Sequence, residues 1–257
     1  MRLFNRTTRS VALTEAGRDF LARIQPPLAA IDAAVETVNA FRSTPAGLLR
    51  INGSEAGFER LMPYVISFAV GYPDMRVDLV CEGRPIDIVA EGFDAGLRLA
   101  ESVPQDMVGF PLGQEEATIV VGSPEYIARR GVPAAPGDLL SHACIRARLP
   151  SGSIMRWEFE RHGQETRLDV PGNLTLGGDH LTLLAARAGL GLAQVTAWSA
   201  ADSLADGRLV QVLADWTPPF AGVCLYYPRQ KLPSAGLRAF IDHCQIERRR
   251  GGGSLRT

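Results

Sequence analysis

Six aliphatic residues, Leu21, Ile24, Leu28, Ile31, Val35 and Val38, follow one another at steps of three, four, three, four and three. That rhythm places all six on one narrow stripe of a helix, and a stripe of 3.5-residue period is the seam of a coiled coil. No other feature constrains the fold as much, because such a stripe is stable only when something covers it. The cover is either the matching helix of a second copy or a surface of the same chain. Thr14 supplies a hydroxyl to cap the helix, and Glu15 puts an acid where the helix dipole favours one. Pro26 and Pro27 remove two backbone donors and predict a bend. Ser43-Thr44-Pro45-Ala46-Gly47 reads as a linker that closes the segment.

Ahead of the helix, residues 1–13 read as a short basic hairpin in which two apolar stubs, Leu3-Phe4 and Val11-Ala12-Leu13, flank polar residues. Arg6 and Arg9, with the hydroxyls of Thr7 and Thr8, suit phosphate oxygens of DNA; a solvated, frayed terminus is the plain alternative. Arg2, Arg6, Arg9, Arg18 and Arg23 crowd this end against only Glu15 and Asp19. The formal net charge of the whole chain is −1, which excludes a surface built throughout to hold nucleic acid. A basic patch at one end can still neutralise phosphates.

The chain has 257 residues, enough for two or three packed units, and its hydrophobic share of 46% and charged share of 21% are those of an ordinary globular protein. No apolar run approaches the ~20 residues of a membrane-spanning helix. The charged start, Met1-Arg2-Leu3-Phe4-Asn5-Arg6, lacks the apolar core of a secretory signal, so a cytoplasmic protein with no membrane partner is expected. Cys81, Cys144, Cys224 and Cys244 are widely separated, and the histidines show no metal-ligand spacing. Reduced, buried thiols, no metal and no cofactor are the expectation.

From Gly47 onward strand and helix patterns alternate, which argues for an α/β sandwich with largely parallel sheets. Strands are expected at 48–53, 76–82, 94–99, 107–112, 117–121, 143–147, 190–195, 209–213 and 223–227, with a hairpin over 157–170. Helices are expected at 58–69, 85–91, 124–130, 179–188, 198–204 and 235–246.

The N-terminal stretch Arg2-Leu3-Phe4-Asn5-Arg6, continuing through Leu13-Thr14-Glu15-Ala16-Gly17, resembles the wing and linker-helix entry of LysR-type transcription regulators. The segments D-I-V-A-E-G-F-D-A-G-L-R-L at 87–99, R-W-E-F at 156–159, A-G-L-G-L-A at 188–193 and L-Y-Y-P at 225–228 are similar to that family's effector domain and stand in its order. The resemblance implies a two-lobed fold like that of periplasmic solute-binding proteins, preceded by a long dimerisation helix and a remnant wing of a winged helix-turn-helix. It implies a wing at 1–13, a linker helix at 14–46, lobe I at 47–118 plus 221–247 and lobe II at 119–220, while the arginine- and glycine-rich composition of 248–257 predicts a disordered tail. On this pattern the helix-turn-helix that precedes the wing is largely missing. The resemblance also implies self-association into dimers or tetramers, DNA as a partner where the head is present, and a small-molecule effector.

In open α/β folds ligands sit beyond the carboxyl ends of strands, where helix N-termini aim their amides at the site. Ser54, Glu55, Glu82, Arg98, Gly178, Asp179 and Thr196 occupy such positions and are the candidate effector contacts, together with Arg146. Arg98 and Arg146 suit a carboxylate through two-pronged pairing, whereas Glu55, Glu82 and Asp179 favour an amine or hydroxyl. Surface or inter-lobe ion pairs are the plain alternative for either arginine. Gly189-Leu190-Gly191 lacks the third glycine of a nucleotide loop and reads as a helix-to-strand turn. No nucleophile, base and orienter assemble along the chain, so the expectation is a regulator and not an enzyme. A stand-alone binding module, or a headless regulator that pairs with intact partners, remains open.

Overall fold

The structure of the chain, a computed structural model, describes residues 2–6, 11–39, 45–82, 86–113, 115–149, 151–230 and 233–251. It opens with an antiparallel hairpin of β1 (Phe4–Arg6) and β2 (Val11–Leu13), in which Phe4 stands opposite Leu13. Thr14 joins it to α1 (Glu15–Asn39). The Thr14 hydroxyl accepts from the Gly17 amide at 3.0 Å and donates to the Arg2 carbonyl at 2.8 Å, so one side chain caps the helix and ties down the hairpin. Pro26 and Pro27 do not end α1, because the turns on either side still carry their own bonds. Thr7, Thr8 and Arg9 of the expected phosphate set lie outside the described residues, as do the side chains of Arg6, Val35 and Val38. Along the rest of the stripe Leu21, Leu28 and Ile31 are exposed and Ile24 is half-buried.

The body follows as β3 (Gly47–Gly53), α2 (Glu55–Gly71), β4 (Met75–Cys81), β5 (Ala95–Leu99) and β6 (Met107–Pro111). Next come β7 (Thr118–Gly122), α3 (Pro124–Arg130), β8 (Cys144–Ala147), β9 (Trp157–Arg161), β10 (Gln164–Leu168) and β11 (Leu174–Leu176). Then come α4 (Asp179–Arg187), β12 (Leu192–Thr196), α5 (Ala197–Ala205), β13 (Val210–Val212), β14 (Val223–Pro228) and α6 (Ala235–Gly251). Two five-stranded sheets result, in the orders β4-β3-β5-β14-β6 and β11-β8-β12-β7-β13, one in each lobe.

The sheets are mixed and not largely parallel: each has two parallel and two antiparallel pairings. The reason is the route of the chain. It leaves the first sheet after β6 and returns as β14, so the strands on either side of each crossing run against their neighbours without a crossover helix. The two crossings lie side by side. The Glu116 amide donates to the Phe220 carbonyl at 2.9 Å and the Phe220 amide to the Glu116 carbonyl at 2.7 Å.

Other departures from the sequence reading are local. The helix expected at 85–91 is a single turn among the described residues, ending at Gly92; Asp87 spends Oδ1 on the Val89 and Ala90 amides at 3.0 and 3.1 Å. The last helix runs on through Arg248–Arg250 to Gly251, where disorder was expected, and cationic residues in a last turn suit the dipole. The rest of the tail lies outside the described residues. The hairpin β9–β10 turns on His162 and Gly163, at φ 54° and 78°. Paired positive values give the tight two-residue turn that matches strand twist.

The first lobe packs α2 and α6 on one face of its sheet: Leu49, Ile51, Leu61, Phe68 and Phe240 are fully buried there, and each contributes about 1.5–3 kcal/mol by leaving water. The opposite face carries Ile88 from the 86–94 segment. The second lobe is covered on both faces, by α4 and α5 around Ile119, Val121 and Ala193, and by Tyr126, Leu139, Trp157 and Phe159 on the other side.

Candidate functional site

Ser54 ends β3 and starts α2: its hydroxyl accepts from the Gly57 amide at 3.2 Å. Thr196 does the same work in the second lobe, ending β12 and accepting at Oγ1 from the Ser199 amide at 3.3 Å to start α5. Both helix N-termini therefore open at strand ends, and both line one cavity of about 250 Å³ between the lobes. Its walls are Ala56, Leu97, Leu99, Phe220 and Val223 with Trp198 from α5, so the space is mainly apolar with few polar groups, the usual character of a small-molecule site.

At its centre Arg60 of α2 forms an ion pair with Glu116 of the crossing segment. Glu116 is 8% exposed and the Arg60 side chain 21%, so the pair is largely removed from water. The Arg60 guanidinium also lies 4.3 Å from the Trp198 ring centroid, which joins the first lobe, the crossing and the second lobe through one side chain.

A carboxylate-rich rim flanks the cavity. Asp179 at the start of α4 accepts at Oδ2 from the Thr196 amide (3.3 Å) and hydroxyl (3.2 Å). Ser199 Oγ lies 3.4 Å from Glu59 Oε2 of the opposite lobe and 3.4 Å from Asp179 Oδ2. Glu55 approaches Gly178 so closely that a Cβ there would stand 3.1 Å from its Oε2. The Glu59 carboxyl is raised above its ordinary value, first because burial penalises its charge and then because Asp179 and Glu55 repel it; the Ser199 bond pulls the other way.

The structure thus brings Ser54 and Thr196 to the cavity and Glu55, Gly178 and Asp179 to its rim. Glu82 stands at the end of β4, with its amide bonded to the Gly53 carbonyl at 3.0 Å, and does not line the cavity. Arg146 sits on β8 beside Thr175 and does not line it either. Arg98 borders it only along β5. Strand alternation turns Leu97 and Leu99 inward, and the Arg98 guanidinium leaves by the opposite face to reach the Ile86 carbonyl at 3.3 Å. The sequence reading passed over Arg60, Glu116, Trp198 and Glu59. Arg60 could have been found as the residue one turn beyond Ala56 on the face that Ser54 opens. Glu116 carries no local signal, since only the crossing of two distant segments gives it a role. Among the described residues no cluster of histidine, cysteine, aspartate and glutamate suits a metal ion.

Two α/β lobes joined by paired crossings and closed on a cavity at strand ends define a receptor domain of the solute-binding type. Residues 42–248 match the family model of the LysR substrate binding domain. The chain belongs to the LysR-type transcription regulators. It is 39% identical over 257 aligned positions to the HTH-type transcriptional regulator YcaN of Escherichia coli (strain K12), covering 97% of this chain and 84% of that one. CrgA, a LysR-type regulator of Neisseria meningitidis, superposes with a TM-score of 0.68 at 26% identity over 96% of this chain and 84% of that chain. The full-length virulence activator AphB of Vibrio cholerae shares the fold with a TM-score of 0.76 at 24% identity, over 96% and 84% of the two chains.

Proposed function

We propose that the chain senses a small organic molecule in the inter-lobe cavity and passes the signal to DNA through a dimer built on α1, acting as a regulator in the cytoplasm and not as an enzyme. The observation that carries this reading is the cavity itself: two capped helix N-termini from opposite lobes meet over an apolar pocket floored by the Arg60–Glu116 pair. The helix N-termini opened by Ser54 and Thr196 favour a carboxylate, and Leu97, Leu99, Phe220 and Trp198 favour an apolar body behind it. The lobes are assigned to 47–118 plus 221–247 and to 119–220. Melting the protein in the presence of small acids and of small amines tests the effector. A rise with acids is expected, and indifference to both sets refutes the reading.

The exposed stripe of α1 supports a second copy as its cover, since Leu28 and Ile31 are 51% and 59% exposed. Met62, Ile66 and Val70, at helical steps of four on the outer face of α2, are exposed as well and support further pairing of effector domains into tetramers. Size exclusion with light scattering on the chain and on Leu28→Asp/Ile31→Asp checks this. The order should drop in the variant, and an unchanged mass overturns the role of the stripe.

A further inference from the structure

A second cavity, of about 430 Å³, lies outside the cleft on the opposite face of the first-lobe sheet, between the strands and the 86–89 turn. Its size falls within the range of small-molecule sites, about 300–1,000 Å³. Arg98 from β5 and Tyr226 from β14 form its floor. The guanidinium stands 5.1 Å from the Tyr226 ring centroid and gives one bond to the Ile86 carbonyl. Tyr226 is buried because Gly96 leaves room for its ring, and any Cβ at Gly96 would stand 2.5 Å from it.

Among the described residues of this lobe, Arg98 is a half-buried cation that lacks an anion. Arg50 pairs with Asp78 at 3.0 Å and Arg60 with Glu116, but among the described residues no carboxylate comes within ion-pair distance of Arg98. A guanidinium has five donors in a planar fork, and the Ile86 carbonyl occupies only part of that capacity. A half-buried guanidinium held by one carbonyl and by the Tyr226 side chain still has donors to offer a ligand in this cavity. Around it Ile86, Ile88, Val89, Pro104 and Met107 offer apolar surface. Asp87 and Asp106 stand at the same wall, and Asp87 already spends Oδ1 on the turn amides.

We infer that this cavity is a second ligand site, in which Arg98 and the Tyr226 hydroxyl hold the carboxylate of a small monocarboxylic acid with an apolar body. The fork suits a carboxylate edge-on, and the phenol adds a donor. Burial pushes the Tyr226 phenol up, against the pull of Arg98, so it keeps its proton for that purpose. Asp87 and Asp106 repel any anion; pairing with Arg98 offsets that cost for one carboxylate and leaves a second one unpaired, which sets a monoacid apart from a diacid. The site is independent of the inter-lobe cavity and does not rest on the function proposed for it.

Sodium phenylacetate titrated calorimetrically into the full chain tests the assignment, with succinate and 2-phenylethanol as comparison ligands. Phenylacetate should bind, and Arg98→Met should weaken it by at least about tenfold, the loss typical of a charge-assisted bond. Arg98→Lys, which keeps the charge and loses the fork, should weaken it by less. Trp198→Ala, on the wall of the inter-lobe cavity, should alter only the heat released by binding there and leave the Arg98-dependent component in place. Succinate and 2-phenylethanol should each bind at least about tenfold more weakly than phenylacetate. Three results overturn the inference: no heat of binding up to about 10 mM, loss through Trp198→Ala with Arg98→Met unaffected, or succinate binding as well as phenylacetate.

Discussion

Replacing Arg60 by methionine isolates the ion pair that ties α2 to the crossing segment. The substitution leaves an aliphatic chain in place but strips the partner from Glu116, a carboxylate only 8% exposed. Removing one member of a buried pair costs about 3–5 kcal/mol, because the other is left charged and desolvated. The stack on Trp198 is lost too, and since that ring is exposed its share is about 0.5–1 kcal/mol. For a domain of this size each kcal/mol lowers Tm by about 2–4 °C, so a fall of about 7–24 °C is expected. Glu116→Gln should cost less, because the cation it leaves behind keeps 21% of its side-chain surface in water. The double variant Arg60→Met/Glu116→Leu should recover most of the loss, since two apolar groups of similar shape replace both charges. Urea unfolding followed by tryptophan fluorescence reads all three. If Arg60→Met costs less than about 1 kcal/mol, or the double variant is no better than the single one, the pair is not a desolvated tie.

Glu59 yields a pH prediction. Its folded-state carboxyl is raised, so the fold binds a proton more readily than the unfolded chain, and stability falls as pH rises upward from about 4.5, the ordinary value. Glu59→Gln should flatten that part of a Tm-against-pH curve, and an unchanged slope assigns it elsewhere. Cys81 is exposed, whereas burial pushes the thiols of Cys144 and Cys244 up to about 12 and that of Cys224 upward as well. Iodoacetamide at pH 8 should therefore label the native chain at Cys81 alone, as peptide mass mapping would show. Gly96→Ala places a methyl against the Tyr226 ring inside the β5–β14 pairing and should cost about 1–3 kcal/mol in urea unfolding. A neutral result would mean that the ring moves freely.

The elements legible in the sequence were those written in local pattern. The β1–β2 hairpin, the Thr14 cap and the steps of α1 follow from residue types at short spacing, and so do Ser54 and Thr196 as positions at strand ends. The strand Leu174–Leu176 was missed because three residues are too few to show alternation. Strand direction was misjudged for a different reason: alternation reports which face is buried and says nothing of the neighbour's polarity. Arg98 was found by its position, but the parity of β5 sends its guanidinium to the other face of the sheet. Arg60, Glu116 and Trp198 come from three separate stretches of chain, and only the assembled lobes bring them together.

The reciprocal bonds between Glu116 and Phe220 have a mechanical consequence. Two separate tethers would let the lobes slide, twist and bend against each other. A doubly bonded antiparallel bridge between the two segments resists sliding along them more than bending across them, so rotation about the bridge is the soft direction. Glu116 sits on that bridge and also faces the cavity, so a molecule lodged beside it acts with a short lever arm. The same small rotation sweeps a larger arc at the outer ends of the lobes, in proportion to their distance from the pivot. A small rotation at the cavity would therefore read out as a larger displacement at the far surfaces.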